Sequence, residues 1–201
     1  MSYMFSADYE PMLPFKRGLT AYTDQSANLT SDRENTILGK AFTRPNVMEL
    51  GLGPSDMPVT LLAVKNVSGS TLTTSTTTGA HYAHTLKWSG FAHDYGRAIG
   101  GVTTSASEWL AGILDPMYAV TGVNILNKDV FYIVIGGPCT VWADSTASLA
   151  TGAFIRCSGT VNGHVVVGVP GTNANCFGVM QEFTSLSYTG TAIVSVPSIS
   201  S

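Results

Sequence analysis

Residues 128–142 read Lys-Asp-Val-Phe-Tyr-Ile-Val-Ile-Gly-Gly-Pro-Cys-Thr-Val-Trp, and they restrict the fold more than any other stretch of the chain. Val130 to Ile135 are all β-branched or aromatic, entered through Lys128-Asp129 and closed by Gly136-Gly137-Pro138. A run this short, bounded by turn formers, is too brief for a typical helix. Its unbroken apolarity predicts a strand buried on both faces. Pro138 has no N–H to give to a ladder, so the chain is expected to turn there and begin a second strand at Cys139. Trp142 would cover that corner, and an all-β core would be built around it.

The rest of the chain repeats this pattern in weaker form. Val59 to Val67 reads as a strand, and Asn66 to Leu72, with Ser68-Gly69-Ser70, as a hairpin corner. Thr151-Gly152 leads into Ala153-Phe154-Ile155, and Thr189-Gly190 into Thr191-Ala192-Ile193; His164 to Val169 and Cys176 to Phe183 lie between them. Short strands about 10–14 residues apart with Gly turns predict a mainly β fold, an antiparallel β-barrel or β-sandwich. One short helix is expected over residues 106–114. Ser105-Ala106-Ser107-Glu108 has the form of a capping box, Trp109, Leu110, Ile113 and Leu114 fall on one helical face, and Pro116 bars extension.

Charge marks a boundary. Residues 1–58 carry 12 of the 23 charged side chains, together with Pro11, Pro14, Pro45, Pro54 and Pro58. Residues 1–58 therefore read as an extended N-terminal arm with room for one or two short strands, and residues 59–201 as the β domain. The arm holds spaced apolar anchors, among them Leu13, Phe15, Tyr22, Phe42 and Leu50, with Lys16, Arg17, Arg33 and Arg44 as cations. An extended chain of this kind lies across another surface or wraps its own domain; the sequence leaves both open.

Charged residues make up 11% of the 201, against roughly 25% in an ordinary soluble domain. From Ser145 onward the only charges are Arg156 and Glu182, so this surface is covered by neighbours or kept in solution by Ser, Thr and Asn. Ten Lys and Arg in a chain of net charge −3 give no basis for coating nucleic acid. No apolar run approaches the roughly 20 residues of a membrane span, and Met1-Ser-Tyr-Met-Phe lacks the form of an export signal. Cys139, Cys157 and Cys176, odd in number and set in or beside strands, are expected to be buried free thiols.

Catalytic patterns are not found. His81 and His84 are three apart, which on a strand places them on opposite faces, and no Cys or Glu completes a ligand set with His93. Asp8 with Glu10 and Asp129 with Asp144 are the carboxylate pairs on offer, the first in the arm and the second at strand ends, where acids mark turns. No cofactor, metal or enzymatic role is expected.

Leu61 to Leu72 (LLAVKNVSGSTL) and Gly112 to Trp142 together resemble small structural proteins encoded beside the major capsid protein of tailed bacteriophages. The positions that carry the resemblance are Lys65, Asn66, Ser68, Gly69, Asp115, Gly122, Val123, Asp129, Phe131, Gly137, Pro138, Cys139 and Val141. It spans residue 59 to the end; the arm has no counterpart. The resemblance implies a capsid decoration, or cement, protein on the outer surface of the virion. The major capsid protein would be its partner, and a homo-oligomer, a trimer, its state. The arm residues named above would then be the capsid contacts. Other readings are a tail, neck or fibre-base component, and a carbohydrate-binding host-attachment module using Trp88, Trp142 or Tyr188 as a stacking platform.

Overall fold

A computed structural model describes residues 38–44, 57–73, 83–90, 96–116, 118, 124–144, 149–172, 175–184 and 189–196. The described chain is mainly β, as expected. Ten strands are present: β1 (Ala41–Arg44), β2 (Val59–Asn66), β3 (Thr85–Trp88), β4 (Ala98–Val102), β5 (Leu110–Leu114), β6 (Val130–Trp142), β7 (Phe154–Cys157), β8 (Val165–Val167), β9 (Gly178–Thr184) and β10 (Thr189–Ser195). They form one sheet in the order β1-β2-β4-β3-β5-β6-β10-β9-β7-β8, with β2 also paired to β6.

That extra pairing closes a ring. β2 runs antiparallel to the first half of β6, from Lys65↔Val130 to Thr60↔Gly136. Its opposite edge carries β1 and, in parallel, β4. β4 leads through β3 and β5 back to β6 at Ile113↔Val134 and Leu114↔Ile133. The second half of β6 pairs instead with β10, from Gly136↔Ser195 to Trp142↔Thr189. From there the sheet runs through β9 and β7 to β8. A parallel bridge between Ala143 and Val165, with the Asp144 N–H on the Val165 carbonyl at 2.9 Å, brings β8 back to the end of β6. The described chain thus forms one closed ring of pairing and a second, closed only by that bridge, and the two share one 13-residue strand.

Both rings contribute to one buried apolar cluster. Leu61, Leu86, Ile99, Ile113, Phe131 and Ile133 come from the first, and Cys139, Val141, Ile155, Val165, Met180 and Ala192 from the second. Val130 to Val134 are buried throughout, as their unbroken apolarity requires of a strand covered on both faces. The rings are also joined through backbone: the Thr85 N–H donates to the Gly163 carbonyl and the Gly163 N–H to the Thr103 carbonyl, both at 2.8 Å.

Two expectations are corrected. The chain does not turn at Pro138, because β6 continues through Gly136-Gly137-Pro138 without a break. What changes there is the partner. From Gly137 on, β6 has a named strand on one side only, which is where a sheet admits a residue without an N–H. Gly137 makes the passage possible: at φ 90°, an added Cβ would lie 2.2 Å from the Pro58 carbonyl oxygen. The expected helix over 106–114 is not formed either. The capping residues close a single turn, and Leu110–Leu114 enters the sheet as β5. Gly112 explains the choice. An added Cβ would sit 2.7 Å from the Val134 carbonyl oxygen, so this backbone is docked flat against β6, which outweighs a weak helical preference.

Candidate functional site

The expected capsid-contact residues fall mainly outside the described chain: Leu13, Phe15, Lys16, Arg17, Tyr22, Arg33 and Leu50 all do so. Phe42 and Arg44 lie in β1, paired with Leu61 and Val59 of β2. The Phe42 ring packs edge-on against Tyr132, centroids 5.7 Å apart, so this part of residues 1–58 belongs to the sheet.

Asn66, Ser68, Gly69 and Asp129, four of the positions that carry the phage resemblance, assemble into one corner. Asn66 is fully buried at the end of β2. Its Nδ2 donates to the carbonyls of Ser70 (2.9 Å) and Leu126 (3.0 Å), with a longer contact to that of Ile125. Its Oδ1 accepts from the Ser68 N–H at 3.0 Å and the Ser68 hydroxyl at 2.7 Å. The Gly69 N–H reaches the Asn127 side chain, and the Asp129 carboxylate accepts from the Leu126 N–H at 2.7 Å. Lys128 holds φ 77°, a region non-glycine residues seldom adopt, while its N–H bonds the Asn66 carbonyl at 2.7 Å. Two turns about 60 residues apart are thereby locked face to face, with every polar atom of the Asn66 amide engaged. Asp115, at the end of β5, is also buried, and its carbonyl accepts from the Tyr118 N–H. The Tyr118 hydroxyl in turn accepts from the Tyr132 N–H at 2.9 Å. Gly122 and Val123 lie outside the described residues.

The turn before β5 is built just as tightly. Glu108 accepts from the Thr104 and Ser105 N–H groups, from the Thr104 hydroxyl, and from Lys87 Nζ at 2.8 Å. Burial pushes the Glu108 carboxyl up, but the hydrogen bonds from Lys87 and Thr104 outweigh it and hold the carboxyl below its ordinary value. From the far side, Asn175 Nδ2 donates to the Ala106 carbonyl. The turn thus presents Trp109 to solvent, 65% exposed. Placing Trp109 on the apolar face of a helix missed this residue. Trp88, by contrast, is buried, which removes it as a stacking platform. Trp142 is half-buried between His84 and His164, centroids 6.3 and 5.9 Å away, and Tyr188 lies outside the described residues.

The remaining chemical groups are separated or structural. Asp129 and Asp144 flank opposite ends of β6 and cannot act on one bond. Asp144 is buried and accepts from the hydroxyls of Ser158 and Thr160, pinning the turn between β7 and β8. His164 Nδ1 lies 2.9 Å from the Ala143 carbonyl, and its ring is 5.1 Å from that of His84. Among the described residues no three His, Cys, Asp or Glu cluster as a metal site, and no helix is long and apolar enough to cross a membrane. All three thiols are free: Cys139 and Cys157 are buried and Cys176 is half-buried. Burial pushes the Cys157 thiol up, against the hydroxyls of Thr85 and Thr103 beside it.

No family model matches the chain, and no curated protein matches it. Solved structures do. The N base of head fibre gp8.5 of bacteriophage phi29 superposes with a TM-score of 0.41 at 10% identity, over 71% of this chain and 99% of that one. The capsid of Myoviridae phage XM1 gives a TM-score of 0.40 at 16% identity, over 63% of this chain and 81% of the other. Both are parts of phage heads.

Proposed function

We propose that this chain is a structural protein of a tailed-phage virion. It acts as a cement, or decoration, protein that sits on the outside of the head shell and holds neighbouring major capsid subunits together. The observation that carries this is the corner at Asn66. Four of the positions that carry the resemblance, Asn66, Ser68 and Gly69 from one stretch and Asp129 from another about 60 residues on, meet there in a single hydrogen-bonded joint. A chance likeness of turn residues gives no reason for them to meet. The two phage-head structures named above agree with this setting, while the argument rests on the chain's own residues.

The mechanism follows from the arm. A shell under internal pressure gains most from contacts that cross subunit boundaries, and Leu13, Phe15, Tyr22 and Leu50 are spaced to provide them. Each such side chain is worth roughly 1.5–3 kcal/mol when fully buried, so several together outweigh the ordering of the arm. Lys16, Arg17 and Arg33 would set register against acidic groups on the shell. Phe42 is engaged by Tyr132 and is assigned to the fold. The neutral second half of the chain serves self-association.

The test adds purified chain to heads that lack it and measures co-sedimentation and the temperature of DNA release. Full-length chain should bind and raise that temperature. A chain lacking residues 1–37, which keeps β1, should fold but not bind. Failure of the full-length chain to bind heads overturns the proposal; undiminished binding by the shortened chain moves the contact out of residues 1–37.

A further inference from the structure

The outward face of the second ring has a layout that the fold does not use. Ala192, Val194, Met180 and Ile155 are buried on the inner face. The residues that alternate with them form a row in register across three strands, Ile193↔Val179 and Val179↔Phe154. Ile193 and Val179 are half-buried and Phe154 is 44% exposed. Phe154 is one of seven large apolar side chains exposed among the described residues.

Two charges frame the row. Arg156 lies two positions beyond Phe154 on β7, between the buried Ile155 and Cys157, and so on the outward face. Its Nε is buried without a hydrogen-bond partner. Glu182 lies three positions beyond Val179 on β9 and pairs with Thr191, in phase with Ile193 and again outward. Because β7 and β9 are antiparallel, Arg156 and Glu182 stand on opposite sides of the apolar row, roughly 15 Å apart along the strands. They are also the only charges from residue 145 to 201. An arginine with a buried, unpaired Nε gains from a carboxylate brought to it, and the chain carries one at the mirrored position of the same face.

We infer that this face is a contact between copies of the chain, in which Arg156 of one copy pairs with Glu182 of another across the row of Phe154, Val179 and Ile193. An apolar centre with opposite charges on its two sides is self-complementary about a two-fold axis. A pair of copies related by a two-fold lying in the contact plane, at right angles to the line from Arg156 to Glu182, brings each positive side to the other's negative side. The assignment rests on the self-association proposed above and is independent of how the arm binds a shell.

Charge exchange in the full-length chain tests it. Sedimentation velocity over a concentration series should show reversible association of the natural chain. Arg156→Glu and Glu182→Arg, each alone, should weaken association about tenfold or more, and the double exchange should restore it to within about threefold. Phe154→Asp should abolish it. Thermal unfolding at a dilution where monomer dominates should be the same for all, since neither charge forms an ion pair among the described residues. A natural chain that stays monomeric, association indifferent to Arg156→Glu, or a double exchange no better than either single change would each overturn the assignment. Head binding by a monomeric variant, measured separately, leaves the cement proposal standing when this one fails.

Discussion

In the first ring polar side chains tie the turns together: fully buried Asn66 spans two turns, half-buried Glu108 closes another, and buried Tyr118 bonds the backbone of β6. Among its described residues the second ring has one such buried knot, at Asp144, and otherwise relies mainly on backbone pairing over small and β-branched side chains such as Val141, Val165, Ala192 and Val194. The difference concerns specificity. Buried hydrogen bonds admit one register and are costly to break, so the first ring is defined by its interior. Apolar packing without them tolerates substitution, which leaves the second ring's outer face free to be chosen for something other than folding.

The largest expected effect lies on the strand the rings share. Gly137→Ala sets a Cβ against the Pro58 carbonyl in a backbone conformation that only glycine holds easily. A loss of about 3 kcal/mol or more in urea unfolding, with both rings failing in one transition, is expected. Two separate transitions would show that β6 does not couple them. Next comes Asn66→Ala, which removes the amide donor from the carbonyls of Ser70 and Leu126 and the acceptor of the Ser68 N–H, and should cost roughly 2–3 kcal/mol. Phe154→Ser, at an exposed site of the second ring, should change monomer stability by less than about 0.5 kcal/mol. If it costs as much as Asn66→Ala, the contrast between a specified interior and a free exterior is wrong.

Two smaller effects sharpen the comparison. Glu108 has a carboxyl held below its ordinary value, so its contribution is present above the carboxylate range and lost as pH falls through the lowered value. Comparing unfolding of the natural chain and Glu108→Gln at neutral and acid pH, the variant should be the weaker at neutral pH, by less than about 1 kcal/mol, and the gap should close in acid. The thiols report on the other ring, since Cys139, Cys157 and Cys176 all belong to it. Half-buried Cys176 should label first; Cys139 and Cys157 should wait for the ring to open, and rapid labelling of both in native protein would count against a closed second ring.

Much of the fold was legible because burial on both faces leaves a mark in the sequence. Val130 to Ile135 could be read as a central strand from side chains alone. The handover at Gly136-Gly137-Pro138 could not, because the same three residues serve a turn or a strand that changes partners, and only the position of Pro58 decides between them. The segment 105–114 shows the same limit. Its capping residues were recognised and do satisfy one another, but the helical spacing of Trp109, Leu110, Ile113 and Leu114 was a coincidence that docking against β6 overrode. The Asn66 turn was visible, whereas its meeting with Asn127 and Asp129 depends on how β2 and β6 pair. Most of the arm residues lie outside the described chain, and the row of Ile193, Val179 and Phe154 emerges only once three strands are aligned.

The shared strand also sets an order of events for a chain made from its N-terminus. The first ring closes only when β6 has been synthesised, and the second waits for β10, some 50 residues later. During that interval the second half of β6 is an extended segment with its partner still missing, and such an edge invites pairing with other nascent chains. Pro138 stands in the middle of it. A residue that cannot donate to a ladder spoils a stray strand's fit on one side and leaves the β10 side able to pair. The proline that made this stretch look like the end of a strand would thus also make β6 a poorer edge for wrong partners until β10 is complete.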